Sequence, residues 1–118
     1  MSPFFSELNE AIFDHGNLHN DVAAYAEKPD GSKAVAAVGA TDKCWLGQWL
    51  ANGGVAQQLP NEHVALKEAH ERFHKTVATT VAQADARTLP EGALSDKGDL
   101  KASLVQLCST ITDVLFKG

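Results

Sequence analysis

Apolar residues recur at alternating spacings of three and four, and this pattern divides the chain into helices separated by polar turns bearing glycine and proline. In the first segment Phe5, Leu8, Ile12, His15, His19, Val22 and Ala26 draw one stripe, with two histidines where leucine is expected. Ser2 and Pro3 mark its start, and Lys28-Pro29-Asp30-Gly31-Ser32 its end. Ala34 to Ala40 is apolar but too short to show a period, and reads as a helical turn or packed loop. A second, short helix is predicted from about Asp42 to Asn52, with Thr41 as N-cap, an apolar patch of Leu46, Trp49 and Leu50, and Asn52-Gly53-Gly54 as the stop. Asn61 reads as the N-cap of a long third helix carrying Leu66, Ala69, Phe73, Val77, Val81 and Ala84. After the turn residues Thr88 to Gly92, a fourth helix is predicted from Ser95 or Asp96. Its stripe is Leu100, Leu104, Leu107, Cys108, Ile111, Val114 and Leu115, and Gly118 closes the chain.

No segment alternates with period two long enough to propose a sheet. The expected fold is therefore all-α, an antiparallel four-helix bundle with a short helix or loop segment between the first and second main helices. Residues 1–118 are the size of one domain, and at 44% hydrophobic residues they can bury a core without staples. A net charge of −5, with no cluster of Lys or Arg among aromatics, argues against nucleic acid or an anionic membrane as partner. No apolar run approaches the roughly 20 residues of a membrane span, and no secretory signal is recognisable. The expected location is the cytoplasm, where Cys44 and Cys108 would be reduced thiols.

Candidate chemistry gathers around Cys44-Trp45-Leu46-Gly47-Gln48-Trp49. Placed in the first turn of its helix, Cys44 would have its pKa lowered by the unpaired N–H groups there, favouring the thiolate that binds metals and attacks electrophiles. Gly47 costs a helix about 1 kcal/mol relative to Ala and implies close approach of a neighbouring backbone or ligand. His70 and His74, four apart in the third helix, project from one face and can reach a single ion. His15 falls on the inward face of the first helix, with His19 one turn further along the same stripe as its rival. Thiols and imidazoles buried without partners destabilise a core, whereas one Cys and three His in tetrahedral array form a closed zinc site.

His15, the stretch Cys44 to Trp49 and then His70-Glu71-Arg72-Phe73-His74 resemble the chemoreceptor zinc-binding (CZB) domain family. The family's motif is a His, then Cys-x-[apolar]-Gly-x-[aromatic or Leu], then His-x-x-x-His. The Trp that family members commonly place three residues after the first His is here Leu18. The resemblance spans roughly residues 8–82 and implies Zn2+ held by His15, Cys44, His70 and His74, family spacing favouring His15 over His19. It also implies a bundle that is often a homodimer, in bacterial signalling proteins, chiefly chemoreceptors and diguanylate cyclases, that sense zinc or oxidants such as hypochlorous acid. Residues 1–118 contain no receptor or catalytic domain of that kind, so the output is expected to pass through a partner or through oligomeric state, with the helix from Ser95 expected to cover the surface from which such a domain would extend. His19 then reads as a polar core residue or one behind the ligands, His63 as solvated or partly buried, Cys108 as a small buried hydrophobe, and Trp45 and Tyr25 as packing residues.

His70-Glu71-Arg72-Phe73-His74 also satisfies the His-Glu-x-x-His signature of zinc metallopeptidases, with Glu71 as general base. No further His follows at metzincin spacing, no strand is available to align a peptide, and a fourth ligand from Cys44 would close the site to water. A di-iron bundle would need a second Glu-x-x-His, which the chain lacks. A haem held by two of the histidines stays open, although no c-type attachment motif is present. A further alternative is a metal-free structural bundle. The expectation is a non-enzymatic zinc-binding regulator.

Overall fold

The computed structural model describes residues 5–31, 38–40, 44–95 and 97–117. The signals read at Ser2, Pro3, Ala34, Thr41, Asp42, Asp96 and Gly118, and the side chain of Phe5, lie outside the described residues. Four helices account for most of the rest: α1 (Phe5–Glu27), α2 (Trp45–Ala51), α3 (Pro60–Asp85) and α4 (Asp99–Lys117). Among the described residues there is no strand.

Contacts along the helices fix their directions. Tyr25, near the end of α1, donates a hydrogen bond to Asp85 at the end of α3 (2.6 Å), while His15 lies against His70 and His74. These two helices are therefore parallel. Cys44 at the start of α2 meets His70 and His74, and Gly54 just beyond its end lies against His63, so α2 runs the opposite way. The Lys117–Glu62 ion pair (2.9 Å) joins the end of α4 to the start of α3, which makes that pair antiparallel too. The result is the up-down-up-down bundle that the periodicity predicts, with one short member.

Each stripe buries one face. Leu66, Phe73, Val77 and Val81 of α3 are fully buried, as are Leu100, Leu107, Ile111 and Val114 of α4, and these two helices form the most extensive interface. Each such side chain contributes roughly 1.5–3 kcal/mol of burial relative to exposure. In α1 the buried face is rotated slightly from the expected stripe. Ala11 and Tyr25 join Leu8, His15 and Val22, while Ile12, His19 and Ala26 are only half-buried. Tyr25 packs as expected, and its hydroxyl also accepts from the Gly31 N–H (2.9 Å), tying down the chain beyond α1. Cys108 is half-buried at the edge of its stripe, and Trp45 is 38% exposed, stacked on Trp49.

Three helix starts differ from the sequence reading. α2 begins at Trp45, because the Cys44 sulfur accepts the Gly47 N–H and so acts as the N-cap itself. α3 begins at Pro60 with Leu59 at the cap position, Asn61 lying within the helix; proline's fixed φ and missing N–H make it a natural first residue. α4 begins at Asp99, four residues beyond Ser95. Successive turns close from Ser95 N–H to Gly92 C=O and from Gly98 N–H to Ser95 C=O, and these take up the backbone groups a helix would have used.

α2 and α3 end in the same way. In α2 the Gly54 N–H reaches the Trp49 carbonyl (2.9 Å) and the Gly53 N–H that of Leu50 (3.2 Å), with Gly53 at φ +114°. In α3 the Thr88 N–H reaches Gln83 (2.8 Å) and the Arg87 N–H reaches Ala84 (3.1 Å), with Arg87 at φ +58°. Both are Schellman closures, which need a left-handed residue just past the helix. Glycine supplies it in one and a strained arginine in the other.

Candidate metal centre

His15, Cys44, His70 and His74 come together where α1, the start of α2 and the middle of α3 meet. Their ligand atoms all lie within 4.8 Å of one another. Cys44 Sγ is 3.1 Å from His70 Nε2 and 3.9 Å from both His15 Nε2 and His74 Nε2. The three imidazoles face one another nearly at right angles, with ring centroids 4.5–5.4 Å apart, so their Nε2 atoms converge on one point rather than stacking. A tetrahedral divalent ion with bonds of about 2.0–2.3 Å sets its ligand atoms about 3.3–3.6 Å apart, and the observed sulfur–nitrogen distances straddle that spacing.

Local structure aims each donor. The four-residue spacing of His70 and His74 stacks both on one face of α3. His15 Nδ1–H donates to the Ala11 carbonyl one turn back (2.7 Å), and His74 Nδ1–H donates to the Val38 carbonyl (2.9 Å). A carbonyl only accepts, so in both rings the proton sits on Nδ1 and the lone pair on Nε2 faces the cluster. This backing is the usual arrangement of metal-ligating histidines. Phe73, fully buried, lies edge-on against His15 and His74 and holds both rings from below.

Electrostatics keep the imidazoles neutral. Burial lowers the pKa of His15, the Ala11 carbonyl pulling it partly back up. Burial, then the neighbouring His74 and His15, bring His70 down to about 3. Burial also lowers His74, against the Val38 carbonyl. A neutral imidazole is the form a metal needs. Cys44 behaves differently from the sequence expectation: burial raises its pKa, outweighing the lowering by the N–H groups at the start of α2. In the chain alone it is a thiol, and a bound dication would reverse that balance.

The other candidates stay outside the cluster. His19 is half-buried on the edge of α1, its Nδ1 paired with Asn20 Oδ1 (3.1 Å), and it is not a member of the cluster. His63 is partly buried, as read, with a buried Nδ1 lacking a hydrogen bond and its ring against Gly54. Cys108 belongs to α4, which contributes no residue to the cluster. The carbonyls of Ala11 and Val38 had no sequence signal, because every residue carries one. No protein-family model matches the chain, and no curated protein or solved structure does either. The cluster is compatible with a CZB domain.

Proposed function

We propose that the chain is a non-enzymatic, cytoplasmic zinc-binding regulatory domain of the CZB kind, holding one Zn2+ on His15, Cys44, His70 and His74. The observation that carries this reading is the convergence of three imidazole nitrogens and one sulfur within 4.8 Å, from helices that the bundle brings together. One thiolate and three imidazoles suit zinc in a closed tetrahedral site, and sulfur disfavours magnesium and calcium. Zinc, when bound, supplies a positive charge that favours the Cys44 thiolate and links α1, the start of α2 and α3.

The signal in this reading is zinc availability or an oxidant such as hypochlorous acid. Two electrons pass from the Cys44 thiolate to the oxidant, chloride leaves, and the sulfur becomes a sulfenic acid, a poorer ligand. Losing one ligand of four releases the start of α2 from α3, and the changed packing would reach a chemoreceptor, a diguanylate cyclase or a second copy of the chain. The resemblance to CZB domains supports those partners and the homodimer.

The metallopeptidase reading is less well supported. Glu71 lies on the exposed side of α3, and the Cys44 sulfur stands beside His70 Nε2 where a catalytic zinc keeps a water.

Metal content of tag-free protein, measured by plasma mass spectrometry, tests the proposal. The expected result is about one zinc per chain in wild type. For Cys44→Ala the affinity should fall well beyond the roughly 10–100-fold typical of losing an outer hydrogen-bond partner of a ligand. No zinc in wild type after titration would leave the metal-free bundle. Zinc held undiminished by Cys44→Ala would return the question to His-Glu-x-x-His.

A further inference from the structure

The four ligand residues are not equally reachable from solvent. His15, His70 and His74 are 4%, 1% and 4% exposed, whereas Cys44 is only half-buried. A cleft of about 200 Å³ ends on His15 and Cys44. Glu7, Glu10 and Asp14 of α1 form one wall, and Trp45 of α2 stands at the other. Two of the histidines are also fixed from behind. His15 and His74 cannot swing away without losing their carbonyl partners and the edge of Phe73. The Cys44 sulfur turns on a single side-chain bond; it accepts from the Gly47 N–H at 3.4 Å, an ordinary distance for sulfur, and lies 3.1 Å from His70 Nε2.

We propose that this cleft is the port through which the ion enters and leaves, with Cys44 as the ligand that opens and Trp45 as the side chain that narrows the mouth. The proposal rests on the zinc-binding reading above. Trp45 is stacked flat on Trp49 (5.5 Å between centroids, 14° between planes), so its ring lies against α2 beside the opening. The three carboxylates are exposed and are not members of the ligand cluster. Their part is the field they make: the Asp14 charge is felt at both His15 and Cys44. A cleft lined by one sign of charge raises the local concentration of a divalent cation and its rate of arrival, and salt screens the effect.

A port has a kinetic signature distinct from that of a ligand. Changing its width alters the barrier, so uptake and release change by one factor and the Kd stays put. Changing a ligand alters the Kd. The experiment is stopped-flow mixing of the zinc-loaded full chain with excess chromophoric chelator for release, and of the metal-free chain with zinc for uptake, with chelator competition giving the Kd. For Trp45→Ala both rates should rise by the same factor, roughly threefold or more, at unchanged Kd. For Asp14→Asn, an exposed position outside the core, uptake should slow by roughly two- to fivefold at low salt, and the difference should vanish at high salt. Unchanged rates in Asp14→Asn, or an effect of Trp45→Ala confined to the Kd, would overturn the port. Asp14→Asn decides alone if Trp45→Ala does not fold. A wild-type chain that takes up no zinc gives no signal in either direction, and that outcome overturns the zinc reading beneath the proposal.

Discussion

His70 shows why single residues in this cluster behave as they do. It is 1% exposed, lies beside two other imidazoles, and has its pKa pushed down to about 3. His15 and His74 are lowered as well, each by burial first. In the metal-free protein the folded chain therefore refuses protons that the unfolded chain accepts below about pH 6.5. Stability is complete above that value and falls as the pH drops toward 3, by up to about 1.4 kcal/mol per pH unit for each histidine not yet protonated in the fold. Urea unfolding of chelator-stripped protein at about pH 7.5 and about pH 5.5 brackets the range in which histidines of the unfolded chain take up protons. The midpoint should be lower at the acid end, and the difference should shrink in His74→Gln. A midpoint that does not move between the two values would contradict the neutral, buried histidines.

At the scale of elements, the ends of α2 and α3 make a matched pair. Both close with the same two hydrogen bonds, but a non-glycine residue in the left-handed region costs roughly 1–2 kcal/mol. Arg87, exposed and at φ +58°, carries that strain. Arg87→Gly should raise stability by about 1 kcal/mol, since some of the gain is returned as the extra freedom of glycine in the unfolded chain. Chemical denaturation measures it, and a loss of stability would mean that the Arg87 side chain contributes more than its backbone strain removes. Gly54 is the converse case. It sits at φ +47°, and a Cβ built there would meet His63 Nδ1 at 2.9 Å, so backbone and packing both require glycine.

For the molecule as a whole, the distribution of the candidate cluster among helices is the main asymmetry. Among the described residues, α1, the start of α2 and α3 supply all four of its members and α4 none, being held to α3 by apolar burial. If the proposed zinc is bound, removing it with a chelator should lower global stability by about 4 kcal/mol when free zinc had stood at a thousand times Kd. The local effect should be uneven. Hydrogen exchange is expected to speed up most at the amides of α2 and of Gly47, whose N–H rests on the Cys44 sulfur, and least in the middle of α4. Equal loss of protection in α2 and α4 would show that zinc acts only on global unfolding.

Helix periodicity alone determined the existence and type of all four helices, because one buried face per helix imposes a 3.6-residue repeat that polar and turn residues interrupt. The residue types of the cluster were legible for a related reason: His15, His70 and His74 occupy inward positions that an apolar residue would otherwise take, and Cys44 stands at a helix start, followed by Trp45 and Trp49. Helix starts were less legible. Whether Ser95 begins α4 or closes a turn depends on which carbonyls its neighbours find. His15 was favoured over His19 by the spacing of the family it resembles, but the physical reason is the rotation of α1 about its axis, which Leu8, Ala11, Val22 and Tyr25 set by packing together. The Cys44 pKa needed the burial of its sulfur, and the backing of His15 and His74 needed carbonyls brought up by the fold. Periodicity records which face of a helix is buried, but only the tertiary structure decides what that face meets and how far water is kept from it.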